Sequence, residues 1–379
     1  MFRRGAAMKL RIALLAAVLA LATPALAFPP DVGGRAYVVA NVTTGDVLLA
    51  RNADLRVPIA SITKLMTVLV VLEHADLDDI VTVTRGAAVV GESTIDLRPG
   101  ERLTVRELVK AALVQSANDA AVALADHVAR GDRGAFVAMM NAKARELGLR
   151  DTHFVNPDGL DAPGHYSSAR DVTRLARIAM RSPVVREIVR TKETTISGGR
   201  RLETWNDLLY TFPGLLGVKT GHTRGAGWSE VAAARGPGFV VYATLLGEPT
   251  RDRRNDDLVR LLAWGISRYR ILPLIDAGRQ YASAALPYGK GVLPIIATRP
   301  KKLVVRLGTR LVEKVVVPTA VSLPVAKGQR LGEVRLYRGG RLIASSPLVA
   351  SRAVSSPGFL GRVGWYAGET VDTVWNWVH

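Results

Sequence analysis

The sequence predicts an α/β protein of the α+β kind: an antiparallel sheet flanked by helices, a small all-β domain, and an amphipathic C-terminal helix. Three observations carry this. Strand and helix patterns alternate up to about residue 270. From Ile271 helical periodicity stops, and short β-branched runs separated by Gly and Pro take over. From Pro357 apolar residues recur at helical spacing, with tryptophans among them.

Residues 1–27 read as a cleavable export leader. Arg3, Arg4, Lys9 and Arg11 form a basic start, Ile12 to Leu21 an apolar core, and Ala25-Leu26-Ala27 a small-x-small cleavage site after Pro24. The alternative is an uncleaved anchor, but the apolar run is only about half of a bilayer-spanning helix. The mature chain is expected to begin at Phe28.

Tyr37 to Val42 and Val47 to Ala50 read as strands about a Thr44-Gly45-Asp46 turn. Ile59 to Glu73 reads as a buried helix starting near Ser61, and Leu108 to Ala129 and Phe136 to Leu147 as further helices. Ser168-Ala169-Arg170-Asp171 resembles a capping box that opens a helix toward Met180. Trp228 to Ala234 and Phe239 to Gly247 are apolar runs joined by Arg235-Gly236-Pro237-Gly238, a hairpin pattern. Asn255 to Tyr269 reads as helix. Beyond it, Leu303 to Leu307, Lys314 to Val317, Leu331 to Tyr337 and Arg341 to Ile343 read as strands. The domains are then 28–270, a β-rich 271–352, and a tail 353–379.

There is no cysteine, which excludes cysteine nucleophiles, thiolate zinc sites, iron–sulfur clusters and a lipoprotein anchor. The net charge is +18, of which the leader holds +4 and residues 271–379 hold +10, leaving +4 for residues 28–270. A chain this basic would ordinarily suggest nucleic acid. Export makes anionic lipid head groups the better partner, so no nucleic acid is expected.

Three short motifs carry candidate chemistry: Ser61-x-x-Lys64, Ser116-Ala117-Asn118 and Lys219-Thr220-Gly221. The first sets a hydroxyl and an amine one helical turn apart on one face. A serine becomes nucleophilic when a neighbouring base takes its proton, and Lys64 can be that base if burial lowers its pKa. The bland alternative is a Ser cap beside a surface Lys. Pro58-Ile59-Ala60 and Leu65-Met66 argue against it, because they draw Lys64 inward. Taken alone, Ser116 and Asn118 read first as an ordinary helix boundary with a Ser or Asn cap; in the functional reading Ser116 relays a proton and Asn118 positions a substrate amide and Lys64. Lys219-Thr220-Gly221 precedes the hairpin and is expected on an edge strand, where Lys219 and Thr220 can bind a carboxylate and Gly221 admits a close backbone approach. The six histidines are scattered without metal-ligand spacing, so no metal or cofactor is expected.

Together these motifs are the recorded signature of β-lactamases and penicillin-binding proteins. More specifically, the chain resembles the low-molecular-mass D-alanyl-D-alanine carboxypeptidases, peptidase family S11. The likeness rests on Pro58 to Thr67, Gln115 to Ala120, Asn156-Pro157-Asp158-Gly159-Leu160-Asp161, Tyr166 to Asp171, and Val218 to Thr223. It runs from about Ala36 to Trp264 and more loosely through the β module. The resemblance implies a β-lactamase-like transpeptidase fold and removal of the terminal D-alanine from peptidoglycan stem pentapeptides. It further implies an acyl-enzyme on Ser61, β-lactams as covalent inhibitors, and a role in peptidoglycan maturation and cell shape. It implies Lys64 and Ser116 as the other catalytic residues, and Asn118, Lys219, Thr220, Gly221 and His222 as substrate-binding residues. The backbone N–H groups of Ser61 and His222 would form the oxyanion hole. An arginine before the final helix of the domain would join Lys219 and Thr220 at the terminal carboxylate; counting back from Trp264 favours Arg254, with Arg251 and Arg253 as competitors. Asp158 occupies a loop position where some relatives carry His. A class A β-lactamase would need a Glu between residues 150 and 170, and none occurs.

In the tail, Val371, Val374, Trp375 and Val378 share helical spacing, and Trp365 and Trp377 add interfacial aromatics. An amphipathic helix in the head-group region of the inner membrane's outer face is the expectation. Packing onto the β module is the alternative.

Overall fold

The strand Ala36–Asn41 is rich in Val and Ala and sits inside a five-stranded antiparallel sheet. The sheet order is Asp46–Arg51, Ala36–Asn41, Phe239–Glu248, Gly227–Gly236 and Leu215–Thr223. The two ends of this unit therefore meet side by side, and Lys219-Thr220-Gly221 lies on an edge strand as expected. The computed structural model describes residues 12–19, 28–359, 363 and 365. Contacts divide the chain into two units, one ending at Arg268 and the other formed by the residues from Tyr269 together with the strand Ile12–Leu19, each with its own apolar core.

Strand Gly227–Gly236 is buried from Ser229 to Ala234, which explains a run of small and apolar residues, broken only by Glu230, rather than an alternating one. Its hairpin closes through Pro237 and Gly238, the latter at φ +71°. Pro followed by a positive-φ Gly is the chemistry of a type II turn.

The first helix departs from the sequence expectation. Ala60–Thr63 is a tight 3₁₀ turn, and the α-helix proper spans Lys64–His74. Every side chain from Lys64 to Val71 is buried, so this helix runs through the core rather than along its surface. The single helix expected over 108–129 is in fact two. Val105–Lys110 is capped reciprocally by Thr104 and Glu107, widens into a π turn over Ala111–Gln115, and stops at Ser116, φ +66°. A second helix spans Asn118–Val128. Good helix formers on both sides hide that break from any propensity argument.

Helix Ala169–Ala179 starts at Ser168, whose Oγ accepts from Asp171 N at 3.2 Å. Only half of the expected capping box forms, because the Asp171 carboxylate instead accepts from Asp151 N (2.7 Å) and Thr152 Oγ1 (2.8 Å). The last helix of the unit, Arg251–Ser267, begins four residues before Asn255 because Thr250 caps it.

In the second unit a six-stranded sheet has the order Ile12–Leu19, Leu311–Pro318, Arg330–Arg338, Arg341–Ala350, Val292–Ala297 and Gln280–Ala285. Tyr269–Ile275 pairs with Lys301–Arg306 as a separate ribbon. The strands Tyr269–Ile275 and Val292–Ala297 escaped the sequence reading because Pro273 and Pro294 interrupt their patterns. Ile12–Leu19 is the apolar run read above as the leader's core, and it pairs along Leu311–Pro318. The rest of the leader and most of the tail lie outside the described residues. Within the tail, Trp365 meets Tyr288 edge to face at 5.5 Å.

Candidate active site

The 3₁₀ turn presents Ser61 half-buried, directly ahead of the fully buried Lys64. Ala60 adopts φ +49°, and the loop Asn156 to Gly159 packs against it. A Cβ on Gly159 (φ +90°) would lie 2.0 Å from the Ala60 carbonyl oxygen, so this position requires glycine. Gly221 is constrained in a related way. A Cβ there would lie 2.8 Å from Ile59 O and 3.2 Å from Ser61 N. The close approach that its lack of a side chain permits is thus made by the chain's own Ile59–Ser61 segment.

Lys64 Nζ donates to Ser61 Oγ at 2.8 Å, to Asn118 Oδ1 at 2.6 Å and to the Asp158 carbonyl at 2.6 Å. Three acceptors surround one fully buried amine. Burial pushes its pKa down to about 8, against a smaller opposing pull from Asp158, Asp119 and Glu92. The Asp158 side chain accepts from Leu160 N at 3.0 Å. Its backbone, not its carboxylate, touches the lysine.

The second motif is held by the break in its helix. Lys219 Nζ donates to Ser116 Oγ at 2.8 Å and to the Thr220 carbonyl at 2.9 Å. Asn118 Nδ2 donates to Gly91 O at 3.0 Å, and Asn118 N donates to Ser93 O at 2.7 Å. Asp119 accepts from Ile95 N and Leu97 N, which fixes the neighbouring loop. Lys219 is fully buried, and its pKa is held well below the ordinary lysine range by burial first and by Lys64 second.

These residues surround a cleft of about 320 Å³ lined by Ser61, Ser116, Thr220, Gly221, His222 and Arg254, with Glu92, Ser93, Trp205 and Trp228 completing its walls. The His222 ring stacks on Trp228 at 4.0 Å. Of the three candidate arginines, Arg254 reaches the cleft. Arg251 makes a bidentate pair with Asp207 (2.6 and 2.8 Å) and faces a neighbouring depression with Gln115 and Arg201. Arg253 is exposed and does not line the cleft; its backbone N–H donates to the capping Thr250 Oγ1 at 3.2 Å. Among the described residues no cluster of three His, Asp or Glu could hold a metal. A buried amine 2.8 Å from a hydroxyl, with the Arg254 guanidinium lining the same cleft, is equipped for acyl transfer from a substrate that ends in a carboxylate.

A family model described as D-alanyl-D-alanine carboxypeptidase matches residues 23–250. The chain belongs to that family. A second model, described as the penicillin-binding protein 5 C-terminal domain, matches residues 269–356. Relatives include the D-alanyl-D-alanine carboxypeptidase DacD of Salmonella typhimurium, 34% identical over 92% of this chain and 94% of that protein. DacF of Bacillus subtilis is 32% identical over 86% of this chain and 87% of that protein. Among solved structures, penicillin binding protein 6B from Escherichia coli matches with a TM-score of 0.64 at 32% identity, covering 87% of this chain and 99% of that one.

For a D-alanyl-D-alanine carboxypeptidase family member, the sequence reading missed several residues around the cleft. Trp205 and Glu92 were passed over because both lie in segments without periodicity. His165 was set aside as one of six scattered histidines. It is buried; Val155 N donates to its Nδ1 at 3.2 Å, which leaves Nε2 to donate to Thr63 Oγ1 at 2.8 Å. Glu230 was read as part of an apolar run, although an acid inside such a run is itself a signal.

Proposed function

We propose that this chain is a penicillin-sensitive serine D-alanyl-D-alanine carboxypeptidase that removes the terminal D-alanine from peptidoglycan stem pentapeptides. The observation that carries the reading is the buried Lys64 amine 2.8 Å from Ser61 Oγ, beside a cleft that Ser61, Thr220 and Arg254 line and behind whose wall Lys219 is bonded to Ser116.

In the neutral form Lys64 takes the Ser61 proton, and Oγ attacks the carbonyl carbon of the penultimate D-alanine. Negative charge gathers on the carbonyl oxygen, where the backbone N–H groups of Ser61 and His222 receive it. The C–N bond then breaks. The leaving amine takes a proton through Ser116, and Ser61 remains as an ester. Water hydrolyses that ester, returning the proton to Ser61 and freeing the shortened peptide. Lys219, Thr220 and Arg254 hold the terminal carboxylate and so set which peptide end can enter.

Incubation with a pentapeptide ending in D-alanyl-D-alanine should release free D-alanine, and labelled penicillin should mark the wild type but not Ser61→Ala. A wild type that takes no label, or a Ser61→Ala protein that still does, would sink the reading.

The same proposal places the enzyme outside the cytoplasm, attached peripherally to the outer face of the inner membrane. The leader pattern and the +10 charge of residues 271–379 support this. Among the described residues no helix is long and apolar enough to cross a membrane. Deleting residues 357–379 should move the enzyme from the membrane pellet to the soluble fraction; continued pelleting rules the tail out as anchor.

A further inference from the structure

Beside the Lys219-Thr220-Gly221 strand the fold buries a carboxylate that the reaction above does not use. Glu230 stands opposite Thr220 in the ladder, so the two side chains share one face of the sheet. Glu230 is completely enclosed, and Arg254 is 1% exposed. Glu230 Oε2 lies 3.3 Å from Arg254 Nε. Neither Glu230 oxygen makes a well-aligned hydrogen bond among the described residues. Burial pushes its pKa up, and Arg254 first, then Lys219 and the Asn206 side chain, favour its charged form. A sealed carboxylate costs several kcal/mol unless charge compensates it, so its placement calls for a reason.

The reason lies in what surrounds it. Arg254 uses one edge on the protein: Nε and Nη2 donate to Asn255 Oδ1 at 3.1 and 2.6 Å, and Nη2 donates to Asp207 Oδ2 at 3.2 Å. No hydrogen bond among the described residues reaches Nη1, and Arg254 lines the cleft. Lys219, Lys64 and Arg254 place three cations close together, two of them fully buried lysines. Lys64 and Arg254 both disfavour a charged Lys219; Glu230 acts in the opposite sense. Asp207 is one-third exposed and shared with Arg251, so it screens less well.

We infer that Glu230 is a positioning residue for recognition of the substrate's terminal carboxylate. It is the built-in counter-ion of Lys219 and Arg254, fixing Arg254 by its Nε edge so that Nη1 is left for the cleft. This rests on the carboxypeptidase reading and deepens it. Without Glu230, the push of Lys64 and Arg254 against a charged Lys219 would lose the carboxylate that opposes it, and an arriving carboxylate would meet a weaker positive field.

The test uses the full chain and two peptides, one ending in D-alanyl-D-alanine and one whose terminal carboxylate is replaced by a neutral amide. KM and kcat for release of the terminal residue are followed across pH for wild type, Glu230→Gln and Glu230→Asp. For Glu230→Gln, KM for the carboxylate peptide should rise about tenfold, the scale of one charge-assisted contact. The alkaline fall of kcat/KM should start at lower pH, while kinetics on the amide peptide stay near wild type. Glu230→Asp, which keeps the charge, should recover most of the loss. Equal losses on both peptides, or an unmoved alkaline limb, overturn the inference and leave a packing role only. If Glu230→Gln does not fold, Glu230→Leu removes the charge without burying an amide and is judged by the same outcomes; failure of both to fold also overturns it. Wild type that releases nothing from the carboxylate peptide defeats the carboxypeptidase reading itself, a result distinct from any of these.

Discussion

Lys64 shows how far one residue's surroundings decide its chemistry. A lysine at its ordinary pKa near 10.5 is almost never neutral at pH 7, but at about 8 roughly one molecule in ten is. The acylation rate by labelled penicillin should therefore rise about tenfold per pH unit on approaching 8 and level off above it. Lys64→Arg keeps a charge that cannot be shed, and should acylate at least about 100-fold more slowly at every pH. An unchanged rate in that variant would remove Lys64 from the role of base. Ser61 and Lys64 were legible in the sequence because their spacing and apolar flanks can be read one turn at a time. Glu230 was not, since its meaning depends on Arg254 and Lys219, which other elements bring to it.

Elements were legible where local pattern decides them, as in the hairpin Gly227–Gly236/Phe239–Glu248. They were not where a break is imposed by what lies opposite, as in the π turn before Ser116, which places that hydroxyl on Lys219. The loop 153–167 is a second such case. His165 ties it to the nucleophile turn through Thr63, and burial, with His153 as the next cause, pushes the His165 pKa from 6.5 to about 4. As pH falls below 6.5 the unfolded chain takes the proton first; the folded chain follows only near 4. Stability from this group is thus whole above 6.5 and declines through that window, by roughly 3 kcal/mol at pH 4. His165→Gln should lower stability at neutral pH yet flatten its decline between about pH 6.5 and 4, read from urea midpoints. A decline as steep as that of wild type would mean the acid sensitivity lies elsewhere. Gly159→Ala should cost more, because its Cβ would overlap the Ala60 carbonyl. We expect at least about 3 kcal/mol lost, together with penicillin acylation.

Across the whole molecule, chemistry and charge are divided. Each residue assigned to the cleft lies before Arg268, in a unit whose core spans Ala36 to Leu246. The +10 excess falls after residue 270, in a unit with a separate core from Leu274 to Val354. That division was visible in the sequence as a change of texture near Ile271, but the second unit's strand order was not, since prolines inside two of its strands mask their alternation. Two cores that share no buried residue can fold separately. A chain ending at Arg268 retains the helix Arg251–Ser267 and with it Arg254. It should fold and be acylated by labelled penicillin within about threefold of the full-length rate, a difference under about 1 kcal/mol in the barrier. Ending the chain at Thr250 instead removes the cation that lines the cleft, along with the apolar face of that helix formed by Leu258, Leu261 and Leu262. That shorter protein should neither fold nor take label. If the chain ending at Arg268 folds by circular dichroism but is acylated far more slowly, the basic β unit contributes to the reaction and the division argued here fails.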